Sequence, residues 1–273
     1  MTQKKMPARS LIYKNVDRMQ FIIGFYHVNN ALRRTLGYQS LPIVMYHSVG
    51  EPDVNQYNLS LDAFRSQMHF LCSHCRCIRL KDVSRQLQNV DGGDQKIPVV
   101  ITFDDGYRNL YQHIHPVMEE MQIPYTVFIP TAFIRPSGSC VTDEKPRLSS
   151  REILALAESE LVDIGSHTVS HPSLSRLASY EVREELTQSK KHLEDLLSRP
   201  VDMFAYPYGT FAHYSKRIAE HVAQSGYRLA VTACFNSMNR AGSDYFLRRI
   251  FFYEKDTPSI MQAKLAGAFD WYF

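Results

Sequence analysis

Long apolar runs are scarce in this chain. The best one near its start, Phe21-Ile22-Ile23-Gly24-Phe25-Tyr26, is followed at once by His27 and two asparagines. A spanning helix needs about 20 apolar residues, and a secretory leader ends in a small-residue cleavage site. This stretch has neither, so the expected location is cytoplasmic. An even cysteine framework is missing as well. The five cysteines, Cys72, Cys75, Cys77, Cys140 and Cys234, are odd in number and read as reduced thiols rather than a disulfide scaffold. Cys72-Ser73-His74-Cys75-Arg76-Cys77 has no second ligand pair at matching spacing, so it reads as a helix end entering a strand. Strong charge of one sign is absent too. A net charge of +3, with no recognition helix or stacking motif, gives no reason to expect a nucleic-acid partner. Repeats and low-complexity segments are also lacking.

What is present is ordinary soluble composition, 44% hydrophobic and 22% charged over 273 residues. That length suits one large domain better than two. Residues 1–40 form a basic amphipathic segment, with Lys5, Arg9, Lys14, Arg18, Arg33 and Arg34 among Leu11, Ile12, Met19, Ile22, Ile23 and Phe25. Such a segment either lies on an anionic membrane face, as a peripheral contact at the inner side, or packs as a helix on the body. Residues 41–273 are the candidate catalytic domain.

In that domain short apolar runs alternate with helical spacing. Strands are expected at 41–46, 78–80, 99–103, 125–130, 162–165, 203–206, 229–232 and 247–252. Helices are expected at 61–72, 109–121, 179–197 and 216–225, with a further start at Ser149-Ser150-Arg151-Glu152. A turn is expected at Asp91-Gly92-Gly93-Asp94. Alternation of this kind implies parallel strands joined by crossover helices, an α/β fold.

The adjacent acids Asp104-Asp105 close the apolar run Ile97 to Phe103 and are followed by Gly106. Two carboxylates at a packed strand end repel each other and lose hydration, which calls for a positive charge nearby. Gly165-Ser166-His167-Thr168-Val169-Ser170-His171 supplies two imidazoles. One acid and two histidines make a three-ligand metal site with an open position for water, and the other acid is left free as a base. All these residues fall at C-terminal strand ends, where barrel enzymes place their sites.

Three segments in this order, Thr102-Phe103-Asp104-Asp105-Gly106, Ser166-His167-Thr168-Val169-Ser170-His171 and Tyr206-Pro207-Tyr208-Gly209, resemble the motifs of the NodB-homology polysaccharide deacetylases. The opening Pro42-Ile43-Val44-Met45-Tyr46-His47 is similar to the start of that domain. The resemblance implies a deformed (β/α) barrel. It implies that Asp105, His167 and His171 bind one divalent metal, with Asp104 as general base and the Tyr208 backbone N–H at the oxyanion. Imidazole and carboxylate ligands suit zinc, and cobalt, nickel or manganese are compatible with the same set. Thr168, Ser170 and Ser166 are expected to shape the loop and orient the ligands. Tyr206, Pro207 and His47 are candidates on the substrate side, His47 being either a sugar contact or a histidine packed at the barrel mouth.

Two departures stand out. Many relatives carry an arginine two residues before the proline of the third motif, where this chain has Ala205; Arg248 or Arg249 is either its replacement or an ordinary surface charge. The late histidine that protonates the leaving amine in relatives is missing, since no histidine follows His221. Neither His213, in a loop, nor His221, on a helix, has the expected strand context, so the general acid is left open, with Asp104 able to return the water proton to the leaving group itself. The implied activity is metal-dependent removal of an N-acetyl group from a carbohydrate, on a cytoplasmic or lipid-linked precursor of a cell-surface polysaccharide. An O-acetyl esterase, a deformylase, or a non-catalytic carbohydrate-binding protein on this fold are the alternatives.

Overall fold

Alternation along the strands sets the architecture. In the computed structural model, which describes residues 35–50, 58–89, 96–138 and 146–270, strand β4 (Ile97–Phe103) faces two cores at once. Val99, Ile101 and Phe103 pack outward, while Val100 points inward with Ile43, Phe128, Met203, Val231 and Leu247. An inward-facing ring of this kind from many strands is a barrel interior.

The main sheet runs β10 (Leu247–Arg249), β8 (Leu229–Phe235), β7 (Met203–Ala205), β6 (Val162–Ser166), β5 (Tyr125–Ile129), β4, β2 (Ile43–Tyr46), all parallel. A parallel bridge between Val44 and Ile250 links the two edges, with Met45 N–H donating to the Ile250 carbonyl at 2.8 Å. The result is a nearly closed barrel, as expected from the sequence. Gly165 lets it fill: a Cβ there would lie 2.5 Å from the Phe128 ring.

Helices cover the outside. In α1 (Leu61–His74), the Ser60 hydroxyl caps the Ala63 N–H, and Phe64, Met68 and Leu71 recur at helical spacing and are buried. The Phe64 ring meets Tyr46 edge-on at 5.6 Å, behind β2. The remaining helices are α2 (Val83–Gln88), α3 (His115–Glu120), α4 (Ser150–Ala157), α5 (Ser179–Leu197), α6 (Lys216–Gln224) and α7 (Pro258–Leu265). Helix α4 opens with a capping box between Ser149 and Glu152, as its sequence suggests. Helix α5 matches its expected span.

The strand expected at 78–80 is displaced. It is β3 (Cys75–Cys77), which pairs with the start of β4, while Leu80 opens a 3-10 turn. The expected helix at 109–121 begins as a π turn, Leu110–Ile114, before α3. A ribbon of β1 (Tyr38–Ser40) with antiparallel β9 (Met238–Arg240) lies off the main sheet, and neither strand is expected from sequence. The segment 1–34, the turn at Asp91–Asp94 and Cys140 lie outside the described residues. No helix among the described residues is long and apolar enough to cross a membrane.

Candidate active site

The two-residue period that fills the barrel also selects the site. Stepping from Val100 through Thr102 brings Asp104 inward, and stepping from Ile43 through Met45 does the same for His47. The two strand ends are neighbours, since Tyr46 pairs with Phe103 and its carbonyl accepts the Asp104 N–H at 2.9 Å. On β10, Leu247 faces inward, so Arg249 does and Arg248 does not. Of the two arginines the sequence left open, the fold brings Arg249 to Asp104.

The contact is bidentate. Arg249 Nη1 donates to Asp104 Oδ1 at 2.8 Å and Nη2 donates to Oδ2 at 2.6 Å. Its remaining donors reach the Thr232 carbonyl at 2.7 Å and Thr102 Oγ1 at 3.2 Å. Asp104 is 3% exposed and Arg249 1%. Burial by itself raises a carboxyl pKa, but the charge and paired hydrogen bonds of Arg249 outweigh it and hold Asp104 well below the carboxylate range. His167 and His47 pull in the same direction, so His47 lies within electrostatic reach of this carboxylate.

Asp105, His167 and His171 converge beside it. His171 Nε2 is 3.4 Å from Asp105 Oδ1 and His167 Nε2 is 3.7 Å from the same oxygen. Donors at zinc bonding distance on tetrahedral directions sit about 3.4 Å apart, so the three atoms fit a single small divalent ion. The His167 tautomer also fits: Nδ1 donates to the Ala205 carbonyl at 2.7 Å, leaving the Nε2 lone pair facing Asp105. Burial, helped by His171, pushes the His167 imidazole down to about 4 against the pull of both acids. Burial also lowers His171, opposed by Asp105 and Asp104. Neutral imidazoles are the form that ligates. Among the described residues this is the one cluster of three or more such side chains close enough to share an ion.

Backbone strain is concentrated here. Asp105, Thr168, His171 and Tyr208 all have positive φ, at 73°, 68°, 58° and 61°. For a β-branched residue such as Thr168 that conformation is disfavoured and needs support from its surroundings. The support is visible. Glu185, on α5, accepts from Val169 N–H at 2.7 Å, Ser170 N–H at 3.0 Å and Ser170 Oγ at 2.6 Å. His171 N–H donates to Thr168 Oγ1 at 3.0 Å, and the Thr168 carbonyl accepts from Thr131 N–H at 3.0 Å. Arg147 donates to the Asp105 carbonyl and lies over the Tyr107 ring at 3.9 Å. Thr168 and Ser170 thus shape the loop as expected. Ser166 does not: its hydroxyl pairs with Ser189 at 2.7 Å in the helix-facing core.

The third motif divides between two faces. Tyr208 is 55% exposed and its ring meets His171 edge-on at 4.9 Å. Its N–H makes no hydrogen bond within the described residues. Gly209, with φ of 53°, is pinned behind it, where a Cβ would come 2.5 Å from the Ala233 nitrogen. Tyr206 corrects the sequence expectation. It points outward like Phe204, is 1% exposed, and donates to the Tyr245 carbonyl at 3.0 Å, so it is a core residue without access to substrate. Pro207 is likewise buried, its carbonyl accepting the Gly209 N–H at 2.7 Å. His47 is half-buried at the mouth. Arg147 and Glu185 carry no motif signal and escaped the sequence reading.

A barrel mouth holding an Arg-clamped carboxylate next to an Asp/His/His donor set is an arrangement suited to hydrolytic chemistry. The sequence model of the polysaccharide deacetylase family matches residues 91–230, and the chain belongs to that family. It is 27% identical over 211 residues to Bacillus subtilis (strain 168) YxkH, named as a polysaccharide deacetylase, covering 77% of this chain and 70% of that protein. It is 22% identical over 253 residues to the poly-β-1,6-N-acetyl-D-glucosamine N-deacetylase of Staphylococcus aureus (strain MRSA252), covering 89% and 81%. Among solved structures, the Streptococcus pyogenes deacetylase PplD in complex with acetate shares the fold. Its TM-score is 0.71 at 22% identity, over 82% of this chain and 97% of that one.

Proposed function

We propose that this chain is a divalent-metal-dependent N-deacetylase of N-acetylhexosamine glycans. The observation that carries the reading is the Arg249–Asp104 clamp set beside three donors spaced for one ion. Asp105, His167 and His171 would hold the ion, which in such a site supplies Lewis acidity and lowers the pKa of water. Arg249 keeps Asp104 ionised and fixes both its oxygens, so that the carboxylate accepts the proton of the attacking water. The acyl carbon becomes tetrahedral, and its oxyanion takes a hydrogen bond from the Tyr208 N–H.

Breaking the C–N bond then requires a proton on the leaving nitrogen. We assign that proton to His47. It stands at the end of β2, next to Asp104 and on the same inward face, within electrostatic reach of that carboxylate. This assignment fills the role that the sequence leaves open and spares Asp104 from serving as both base and acid. Acetate leaves with the water oxygen, and the amine leaves with the His47 proton.

The name of the Staphylococcus aureus relative makes a β-1,6-linked N-acetylglucosamine chain the first substrate to test. A lipid-linked precursor carrying the same sugar is the second, and precursor specificity would go with a cytoplasmic enzyme at the inner membrane face. The test is acetate release from both, with metal-stripped and with zinc-, cobalt-, nickel- and manganese-loaded protein. Release that is independent of added metal, or absent from every N-acetylated glycan in all loaded forms, refutes the proposal.

A further inference from the structure

Apart from the reaction centre, a cavity of about 640 Å³ opens on the flank of the barrel, between α4, the π turn and the segment that follows β5. Three arginines line it, Arg108, Arg135 and Arg151. The chemistry proposed above uses none of them. Arg108 is already neutralised, its Nε donating to Glu152 Oε1 at 2.7 Å. Glu152 is engaged at its other oxygen too, where Oε2 accepts the Ser149 N–H and hydroxyl, each at 2.8 Å. Glu158, the remaining acid in the lining, lies at the far end of α4, about two turns from Arg151. Among the described residues neither Arg135 nor Arg151 makes an ion pair.

Arg135 carries the stronger signal. Its backbone is tied on both sides, the N–H donating to the Leu148 carbonyl at 3.1 Å and the carbonyl accepting the Ser150 N–H at 3.0 Å. Its side-chain Nε and Nη1 are nevertheless buried with no hydrogen-bond partner among the described residues. Buried donors without an acceptor have lost their hydration and gained nothing in exchange. A fixed cation in that condition is completed by an acceptor that enters from outside.

We propose that this pocket binds a phosphate group, with Arg135 and Arg151 as its cationic donors. A guanidinium stays charged and matches phosphate oxygens with paired N–H groups. Ser149, Arg151 and Glu152 in the lining belong to the start of α4, whose partial positive charge favours an anion. Tyr111, Leu154 and Ala155 add apolar wall, and the cavity is far larger than a bare ion. Those features favour a phosphate ester of a small organic group, a sugar phosphate above all. Asp105, His167 and His171 do not line the pocket, so the inference stands apart from the deacetylase reading.

The test is calorimetric titration of the full-length, metal-loaded protein at low ionic strength with N-acetylglucosamine 1-phosphate, inorganic phosphate and unphosphorylated N-acetylglucosamine. The sugar phosphate is expected to bind at least about tenfold more tightly than the sugar without phosphate. Arg151→Glu, a change at an exposed side chain, and Arg135→Gln, shown by thermal melting to be folded, should each weaken it by about tenfold or more. His171→Ala should leave it unchanged. Inorganic phosphate that binds as tightly as its ester keeps the site and names the free ion as its ligand. Binding lost in His171→Ala but kept in Arg151→Glu puts the phosphate on the metal centre and overturns the proposal. So does the absence of binding by either phosphate at concentrations up to roughly 10 mM. Binding is read without turnover, so failure of the proposed deacetylase activity leaves the result intact.

Discussion

Arg249 reaches across the barrel mouth from the end of β10 to grip both carboxylate oxygens of Asp104 at the end of β4, at 2.8 and 2.6 Å. Both partners are almost wholly buried. Removing one partner of such a pair leaves an uncompensated charge and costs about 3–5 kcal/mol. Arg249→Met is expected to lower the urea midpoint accordingly and to cut kcat by about 100-fold or more, since the candidate base loses its orientation. Ala205 sits inward on β7, where relatives were expected to carry this arginine. The double variant Ala205→Arg, Arg249→Ala is therefore expected to recover at least about tenfold in turnover over Arg249→Ala alone, about 1.4 kcal/mol of barrel-mouth function. Equal activity of the two would show that only the β10 position can hold Asp104.

This clamp also shows where the sequence stops being legible. Asp104, Asp105 and His167 can be read from the chain because they follow directly on strand ends, and His171 because its four-residue spacing from His167 is chemical. Choosing between Arg248 and Arg249 needs the inward parity of Leu247, which only the closed sheet fixes. The outward place of Tyr206 has the same cause: motif neighbours alternate between faces, and the inward one is Ala205. The nearness of His47 to Asp104 depends on β2 pairing with β4, a contact between segments far apart in sequence. Strand β3 precedes the expected 78–80 because Cys75-Arg76-Cys77 carries little apolar signal, and its place comes from pairing with β4 instead. The left-handed backbone of Thr168 and Tyr208 has no sequence signature, since β-branched and bulky residues rarely adopt it.

His47→Asn distinguishes an acid from a packing residue. If His47 protonates the leaving nitrogen, the variant loses about 100-fold or more on an N-acetyl sugar, within the usual range for a general acid. The same variant should lose far less on an activated aryl acetate, whose leaving group needs no proton. Metal content, read by elemental analysis, should be unchanged. Equal losses on amide and aryl ester would return His47 to the role of a packed histidine.

Asp104 and Asp105 should separate cleanly by metal content. Asp104→Asn is expected to keep its metal and to lose turnover by about 1,000-fold, because the amide cannot accept the water proton. Asp105→Asn, by contrast, is expected to weaken metal binding itself, as ligand replacement does. Loss of metal from Asp104→Asn would interchange the assigned roles.

Glu185 holds the strained loop between the two histidines with one carboxylate. Glu185→Gln can still accept at one oxygen, but it loses the charge-assisted character of three bonds. The expected result is weaker metal affinity by about 10- to 100-fold, the usual effect of disturbing the partners that orient ligands. A competitive chelator titration reads this directly. Unchanged affinity would mean that Thr168 and Arg147 suffice to hold the loop.

The buried imidazoles set the pH dependence of the metal-stripped protein. His167 is pushed down to about 4 from an ordinary value of 6.5, so between those limits the unfolded chain binds a proton that the folded chain does not. Stability therefore falls as pH drops through that window, by about 1.4 kcal/mol per unit and about 3 kcal/mol in all, with His171 adding in the same direction. Asp104 works at the other end. Its depressed carboxyl keeps its contribution above the ordinary carboxylate range and loses it only in stronger acid. Urea unfolding of chelator-treated protein at about pH 7, 5.5 and 4.5 measures the slope, and His167→Gln is expected to flatten it. A slope identical in the variant would place the titrating group elsewhere in the chain.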